Sequence, residues 1–289
     1  MPPAFFFAPG GRPQALDIEV ALAVGQHYFL VPGCSAAAEL LANHPDRRIG
    51  VALDSHVFDP DRPCLDAYAE AVAGWHRRID RFVFAISYDH LHDPDRSLVD
   101  HDRLCRRLER LGVVSDDDPV VPVAHRGSAI GDLLGPDSLE WDDIPLDVLR
   151  LPRDQTPVIA LGGLAFSQYG PAGMSWMAAQ LIALGLRPSG GAHLLGLARP
   201  DVLKRTTVVS FDSSRPVKQA AFGWQAIAPN FQARYGFSPD ELRASRAARL
   251  AYWIIDTRDR VGLPWSPVRA SDLPPARAPL CAERRFTAL

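Results

Sequence analysis

Short apolar segments recur along the chain, and most of them are followed by turn residues or by a stretch with helical spacing. These segments are rich in β-branched and aromatic residues, and they show no alternation of polar and apolar side chains, which is typical of strands buried on both faces. There are eight of them: Phe5–Ala8, Tyr28–Val31, Val51–Leu53, Phe82–Ser87, Val120–Ala124, Val158–Leu161, His193–Leu197 and Val208–Phe211.

Helical segments lie between most of these strands. Three of them, with apolar residues at helical spacing, are Cys64–Arg78, Arg96–Leu111 and Pro171–Gly185. A longer one, Ser238–Val261, begins with a capping box and is predicted as a single helix. A strand followed by a helix, repeated eight times, predicts an α/β fold with a parallel sheet, the (β/α)8 barrel of the TIM type. An open doubly wound sheet is the alternative.

The length of 289 residues is close to the roughly 250 residues typical of this barrel. We therefore expect one barrel domain over residues 1–289, with a C-terminal helix and an irregular tail over about residues 266–289. The tail is rich in proline and arginine.

Composition narrows the class of protein. Apolar residues make up 47% of the chain and charged residues 22%, which is ordinary for a globular protein and excludes a disordered chain or a coiled coil. The net charge of −3 provides no global attraction to nucleic acid, so such a partner needs a local basic patch. No apolar run approaches the ~20 residues that span a membrane. Without a signal peptide or a Cys-x-x-Cys pair, we expect a cytoplasmic protein with reduced thiols and no membrane partner.

Polar residues follow the carboxyl ends of several predicted strands. In a barrel of this type these ends meet at one rim, and that rim carries the active site. Aspartate is rarely buried unless it is paired or functional. Any one of these aspartates could be a helix cap, but three on one rim predict a site. The polar groups are Asp54-Ser55-His56, Tyr88-Asp89-His90, His125, Gly162-Gly163 and Asp212.

Two kinds of chemistry fit this set. One is a metal-dependent, amidohydrolase-like site with the ligands His90, His92, His125 and Asp212, since imidazole and carboxylate groups are suitable ligands. The other is a carboxylate nucleophile that attacks an anomeric carbon while a second carboxylate manages protons, which needs no metal and no cofactor. His193 begins its strand, so we expect it on the opposite face of the barrel.

Several segments resemble the tRNA-guanine transglycosylases, in the order of that family's motifs and over about residues 50–220. Three short motifs, Gly-Gly-Leu-Ala, Asp-Ser and Tyr-Asp, match the family. The most specific match is a strand that leads into a Pro-containing helix start and is followed by a second strand that ends in Phe-Asp. The segments are Leu53-Asp54-Ser55, Ser87-Tyr88-Asp89, Ala160–Ala165, Ala192–Lys204 and Val208–Pro216.

The resemblance implies exchange of a base at a nucleotide. Asp212 matches the nucleophile that displaces guanine from C1′, and Asp54 matches the general base toward the incoming base. Asp89 matches the residue that binds the Watson–Crick edge of the purine. The other substrate-binding residues implied are Gly162, Gly163 and Leu164, which would offer backbone groups, together with Ser55, Tyr88 and His125.

The sequence also departs from the family's pattern. His56-Val57 replaces a glycine pair, and His125 stands where the family has glutamine. The zinc-binding cluster that follows the last strand is absent, because only Cys281 remains after Asp212, so no zinc subdomain is expected. This favours the relatives that insert 7-deazaguanine derivatives into DNA, with tRNA or a free nucleoside as other acceptors. A catalytically degenerate subunit that binds a nucleobase or nucleic acid is the non-enzymatic alternative.

Basic residues around the last strand are candidates for contact with a phosphate backbone, with a solvated face as the alternative. They are Arg199, Lys204, Arg205, Arg215 and Lys218, and downstream Arg243, Arg246 and Arg249 on the predicted helix. Phe222 and Trp224 could stack on a base or pack in the core. The expected partners are therefore a nucleic acid and a 7-deazapurine, with companion modification proteins and a second copy of the chain as further possibilities.

Overall fold

The computed structural model describes residues 3–9, 15–59, 61–78, 81–90, 93–113, 119–125, 157, 159–162, 176–177, 180, 191–196, 203 and 208–275. Within these ranges, nine parallel strands form one sheet in the order β5-β4-β3-β2-β1-β9-β8-β7-β6. The strands are β1 (Ala4–Phe7), β2 (Tyr28–Pro32), β3 (Gly50–Asp54), β4 (Phe82–Ile86), β5 (Val120–Val121), β6 (Val123–Ala124), β7 (Ile159–Leu161), β8 (Ala192–Leu194) and β9 (Val208–Ser213).

The two ends of this order, β5 and β6, are consecutive pieces of chain on either side of Pro122. Proline has no N–H to donate, which interrupts the ladder at that residue. The segment still serves both neighbours, since β5 pairs with β4 and β6 pairs with β7. The Pro122 carbonyl accepts the N–H of Ala160 at 2.8 Å. The sheet therefore closes through the predicted strand Val120–Ala124, which confirms the α/β barrel and excludes the open sheet.

Helices connect the strands around the outside of the barrel. Two of them confirm predicted segments: α3 begins after its N-cap Cys64, the first residue of its segment, and α4 begins after its N-cap Asp93, slightly before its predicted start at Arg96. The predicted helix Pro171–Gly185 lies mostly outside the described residues. The described helices are α1 (Ala15–Ala23), α2 (Ala36–Ala42), α3 (Leu65–His76), α4 (Pro94–Arg110), α5 (Arg215–Ala221), α6 (Trp224–Ile227), α7 (Pro239–Ala244) and α8 (Arg246–Arg260).

The segment Ser238–Val261, predicted as a single helix, is instead divided between α7 and α8. Its predicted capping box between Ser238 and Glu241 is present. At Ser245 the backbone is extended, with φ −118° and ψ 121°, and the serine hydroxyl accepts the N–H of Ala248 at 3.2 Å. The prediction of one helix was wrong because a serine that caps the next turn competes with helix continuation.

Apolar residues form two layers. The larger one lies between the strands and the helices and includes the stacked rings of Phe5 and Phe211, 5.1 Å apart. The smaller one contains strand residues almost exclusively, so it fills the inside of the barrel. Its buried members are Phe6, Leu30, Ala52, Phe84, Ile86, Val121, Val123 and Ala160.

The last long helix, α8, packs against α5 and α1. Arg246 on α8 donates two hydrogen bonds to the buried carboxylate of Asp17 on α1, at 2.5 and 3.1 Å. At the far end of α8, Arg258 contacts Gln26, whose amide donates to the carbonyls of Phe5 and Tyr28. Within the described part of the chain, no helix is long and apolar enough to cross a membrane.

Candidate functional site

Five strand ends bring predicted site residues to one rim of the barrel. Asp54 ends β3, and Ser55 follows it; Asp89 follows β4, His125 follows β6, and Gly162 follows β7. Asp212 lies near the end of β9. The parallel direction of the strands places all of them at the carboxyl end of the barrel, as predicted. Gly163, Leu164, Arg199, Lys204 and Arg205 lie outside the described residues.

Asp212 is a buried carboxylate, 7% exposed, on a strand whose six residues are all buried. Its Oδ1 accepts the backbone N–H of Gly196 at 2.9 Å, and it lies 3.2 Å from Nε2 of His193. Oδ2 has no hydrogen-bond partner among the described residues. Among the described residues, the carboxylate is therefore held through one oxygen.

His193 lies inside the barrel, beneath Asp212, and not on the opposite face as expected. It is fully buried, and its ring meets the edges or faces of Phe6 and Phe84. Its Nδ1 lies 2.8 Å from the hydroxyl of Ser210. The register pairs His193 with Ser210 across β8 and β9, so its side chain points to the interior with that of Asp212. Ser210 and Asp212 are two residues apart on β9, so the sequence alone indicates that their side chains lie on the same face of that strand. That His193 on β8 faces them follows only from the register between the two strands.

Asp54 faces the same interior from β3. Its Oδ1 accepts the N–H of His56 at 3.1 Å. Burial raises the pKa of Asp54, and the nearby carboxylates of Asp212 and Asp89 raise it further, against the opposing effect of the His56 N–H. The structure thus brings the two predicted catalytic carboxylates within electrostatic reach of each other.

The backbone turns sharply just after Asp54. His56 has a left-handed conformation with φ 57°, which is uncommon for a residue with a side chain. Its Nδ1 lies 3.1 Å from the carboxylate of Asp59, an interaction that helps to hold the turn. This turn directs the His56 N–H at the Asp54 carboxylate.

Asp89 and His125 form a buried pair, 3% and 2% exposed. The Nε2 of His125 lies 2.8 and 3.0 Å from the two carboxylate oxygens of Asp89. Asp89 also accepts the hydroxyl of Ser97 at 3.0 Å, and its own N–H donates to the hydroxyl of Ser55 at 3.4 Å. The Asp89 carboxylate is therefore directed toward other side chains of the protein.

Gly162 makes room for this pair. A Cβ at Gly162 would lie 2.5 Å from Cε1 and 3.0 Å from Nδ1 of His125, and 2.8 Å from Cγ1 of Val123. The imidazole therefore lies directly against the backbone at the end of β7. Any side chain at this position would displace the ring.

A polar shell supports the end of β4 from outside. Arg62 donates to the Asp89 carbonyl at 2.6 Å, and its guanidinium lies 4.3 Å from the ring centre of Tyr88. The hydroxyl of Tyr88 donates to the carbonyl of Pro63, so this side chain points toward the loop before α3. His90 lies 2.8 Å from Asp100. Burial opposes ionisation of Asp100, but hydrogen bonds from His90 and Arg103 outweigh it and lower the pKa of that carboxyl.

The residues proposed as metal ligands do not come together. His90 pairs with Asp100, His125 with Asp89, and Asp212 with His193. His92 lies outside the described residues. Within the described ranges, no group of three or more His, Cys, Asp or Glu side chains is placed to hold a metal ion.

The basic residues divide into two sets. Arg215 and Lys218 are exposed on α5, directly after the strand that carries Asp212. Arg246 is paired with Asp17, and Arg249 donates to backbone carbonyls that include that of Ala220, so both serve the packing of helices. These two arginines did not form the solvated or phosphate-facing row that their spacing suggested.

The neighbouring aromatic residues also divide. Phe222 is 69% exposed. Trp224 packs against Phe231, with ring centres 5.5 Å apart, and the guanidinium of Arg243 lies 5.0 Å from its ring centre. Of the two candidates for stacking on a base, only Phe222 has an open face.

Comparison with known proteins adds little to this geometry. No protein-family model matches the chain, and no curated protein matches it. A solved structure from Coccidioides immitis, provisionally assigned as a fructose-1,6-biphosphate aldolase, is similar with a TM-score of 0.48 and 14% identity, over 90% of this chain and 91% of that chain. Similarity at this level bears on neither the activity nor the substrate of this protein.

Proposed function

We propose that the protein is a base-exchange transglycosylase, which replaces guanine in a nucleic acid, DNA in preference to tRNA, by a 7-deazaguanine derivative. The observation that carries this proposal is the carboxylate pair at the barrel rim. Asp212 is held through one oxygen by Gly196 and His193, and it faces Asp54, whose pKa is raised. Two carboxyl groups with different environments are what a reaction through a covalent glycosyl intermediate requires.

In the first half-reaction, Asp212 acts as nucleophile. One carboxylate oxygen forms a bond to C1′ of the target nucleotide, the C1′–N9 bond breaks, and its electron pair leaves with guanine. Protonated Asp54 donates a proton to the departing base, which leaves as neutral guanine. The raised pKa of Asp54 keeps this proton available at higher pH than an ordinary aspartate would.

In the second half-reaction, the incoming base reverses these steps. The N9–H of the incoming base transfers its proton to the Asp54 carboxylate. N9 then forms a bond to C1′ on the same face from which guanine departed. The bond between C1′ and the Asp212 oxygen then breaks, and Asp212 is regenerated as carboxylate. Two displacements retain the configuration at C1′, and no cofactor is consumed.

Two further features support the proposal. The left-handed backbone of His56 is a conformation that glycine adopts more readily, and the resembled family has glycine at this position. Arg215 and Lys218 are exposed beside the nucleophile's strand, where they can meet a phosphate backbone. A base in a duplex would have to leave the stack to reach a carboxylate as buried as Asp212.

The test is incorporation of labelled base into a polymer. Radiolabelled guanine and 7-cyano-7-deazaguanine are incubated separately with duplex DNA, single-stranded DNA and bulk tRNA. We expect label in DNA with the unaltered protein, and a loss of at least about a thousandfold with Asp212→Asn because the nucleophile is removed. Asp102→Asn, which alters an exposed carboxylate on α4, is the matched control and should retain full activity.

Two results would contradict the proposal. Equal incorporation by Asp212→Asn would exclude the covalent mechanism. No label in any polymer with the unaltered protein would exclude base exchange on these acceptors.

A further inference from the structure

His193 is a buried titratable group that the two half-reactions leave unused. Its side chain is fully buried inside the barrel, and its ring contacts those of Phe6 and Phe84, with ring centres 5.8 and 5.2 Å away. Both ring nitrogens nevertheless have polar partners, since Nδ1 lies 2.8 Å from the hydroxyl of Ser210 and Nε2 lies 3.2 Å from Oδ1 of Asp212. Burial of a polar ring is unfavourable unless it is hydrogen-bonded, so these two contacts account for its place behind the nucleophile.

The two partners determine where the hydrogen of the ring lies. An ionised carboxylate only accepts hydrogen bonds, so Nε2 must carry the hydrogen toward Asp212. In the neutral ring, Nδ1 is then an acceptor, and the hydroxyl of Ser210 donates to it. The chain from Ser210 through His193 to Asp212 therefore directs one N–H at the carboxylate.

A second donor meets the same oxygen of Asp212. The N–H of Gly196, in the turn after β8, lies 2.9 Å from Oδ1. Gly196 has a left-handed φ of 70°, which glycine adopts without strain. Oδ1 thus accepts two N–H groups, one fixed by the backbone and one fixed by the hydrogen bond between His193 and Ser210.

We infer that His193 is a positioning residue that assists the departure of Asp212 from C1′ in the second half-reaction. The inference rests on the proposed function for the reaction itself. Because two N–H groups occupy Oδ1, the ester bond to C1′ forms at Oδ2, and Oδ1 is the carbonyl oxygen of the intermediate. When N9 of the incoming base bonds to C1′, the C1′–Oδ2 bond breaks and its electron pair returns to the carboxylate. The hydrogen on Nε2 of His193 stays on the ring throughout.

The direction of the effect follows from the charge on Asp212. The ester is neutral, whereas the departing carboxylate is negative, and a hydrogen bond to an ionised acceptor is roughly twice as strong as one to a neutral acceptor. The N–H of His193 therefore stabilises the transition state for departure more than it stabilises the ester. In the first half-reaction the same hydrogen bond has opposing effects, because it orients the nucleophile and also stabilises its charge before the attack.

The two half-reactions can be measured separately in the full chain. Formation of the covalent complex is followed on denaturing gels after mixing with duplex DNA, single-stranded DNA or bulk tRNA, and its decay is followed after a chase with excess guanine. His193→Phe keeps a flat ring of similar size without a donor. In this variant we expect decay to slow by at least about tenfold and formation to change by less than about threefold.

Two further variants separate the hydrogen bond from the packing of the ring. His193→Gln keeps an N–H that can reach Oδ1, so it should recover most of the rate of decay that His193→Phe loses. His76→Phe makes the same chemical change on the last turn of α3, and its complex should form and decay as in the unaltered protein. A purely structural role would slow both half-reactions alike.

The position of the ring hydrogen can be measured without catalysis. In ¹⁵N spectra of the histidine rings of the unaltered protein, the resonances that are absent from His193→Gln should show a protonated Nε2 and an unprotonated Nδ1. This measurement does not depend on the activity of any variant.

The outcomes separate this inference from the proposed function. Decay that is equally fast in His193→Phe, or formation and decay that slow by the same factor, would overturn the role of His193 and leave base exchange intact. A hydrogen on Nδ1 in place of Nε2 would overturn the inference whatever the activity. A protein that forms no covalent complex with any of the polymers would contradict base exchange and the inference together.

Discussion

At the residue scale, the site depends on pairs of side chains whose members come from different strands. Asp212 is contacted by His193, and Asp89 by His125. In each pair, the histidine turns one nitrogen toward the carboxylate. The other nitrogen of His193 lies beside the hydroxyl of Ser210, and that of His125 has no hydrogen-bond partner among the described residues. Asp54 has no such partner and accepts only a backbone N–H from His56 among the described residues. Burial and the like charges of Asp212 and Asp89 raise the pKa of this carboxyl group.

The raised pKa of Asp54 predicts how stability depends on pH. The native state keeps the proton on Asp54 above the ordinary value of 3.8, so it binds more protons than the unfolded state in that range. This group therefore makes the unfolding free energy fall as pH rises from about 4 through the native pKa. We expect Asp54→Asn to stabilise the protein by about 1 kcal/mol at neutral pH, a common gain for replacement of a strained functional residue.

Denaturant titrations of both proteins between pH 4 and pH 8 test this expectation. The difference in unfolding free energy should be smaller at pH 4 than at neutral pH, because the raised pKa of Asp54 makes its ionisation in the native state unfavourable as the pH rises. A constant difference across the range would show that ionisation of Asp54 costs the fold nothing. Asp102→Asn should match the unaltered protein throughout.

At the scale of elements, local capping decides where helices begin. The capping box at Ser238 starts α7, and Ser245, the single extended residue between the two helices, caps the start of α8. The division changes the direction of the chain, so that α8 can pack on α5 and α1. Arg243 is then separated from Arg246 and Arg249, which a continuous helix would have placed in one row.

Replacement of the second cap measures its contribution. Ser245→Ala removes the acceptor for the Ala248 N–H, and we expect a loss of about 1 kcal/mol in unfolding free energy. For a chain of this size, the melting temperature should fall by roughly 2–4 °C. Ser271→Ala, at an exposed serine in the short 3-10 helix Ala270–Asp272, should have almost no effect. A variant at Ser245 as stable as the unaltered protein would show that packing alone places α8.

At the scale of the whole molecule, contacts between distant parts of the chain close both the sheet and the layer of helices around it. The sheet closes through Val120–Ala124, and the helical layer closes where α8 meets α1. The second closure contains a buried ionic contact, since Asp17 is 1% exposed and Arg246 reaches it from the other end of the chain. The arginine thus serves the fold, at a distance in sequence of 229 residues.

Removal of one partner of this contact should be costly. Arg246→Met leaves the Asp17 carboxylate buried without its charged partner, and we expect a loss of about 3 kcal/mol in unfolding free energy. The double variant Arg246→Met, Asp17→Asn should recover part of that loss, because no uncompensated charge remains. Equal losses in the single and double variants, measured by denaturant titration, would show that the packing of the arginine stem matters and the charge does not.

The sequence by itself determined the features that are local along the chain. The eight strand segments, the existence of α3 and α4 and the capping box at Ser238 all follow from short-range patterns of apolar, proline and hydroxyl residues. The carboxylates at the rim followed as well, because parallel strands that alternate with helices must place their carboxyl ends together.

Tertiary structure alone decided which side chains meet. The strands are buried on both faces, so their sequences contain no alternation that would distinguish the interior from the helix-facing side. The register between β8 and β9 places His193 beneath Asp212, and the adjacency of β4 and Val120–Ala124 places His125 against Asp89. Pairing across strands depends on register and barrel closure, which no single segment encodes. For that reason the candidate site could be located from the sequence, while its hydrogen bonds required the folded chain.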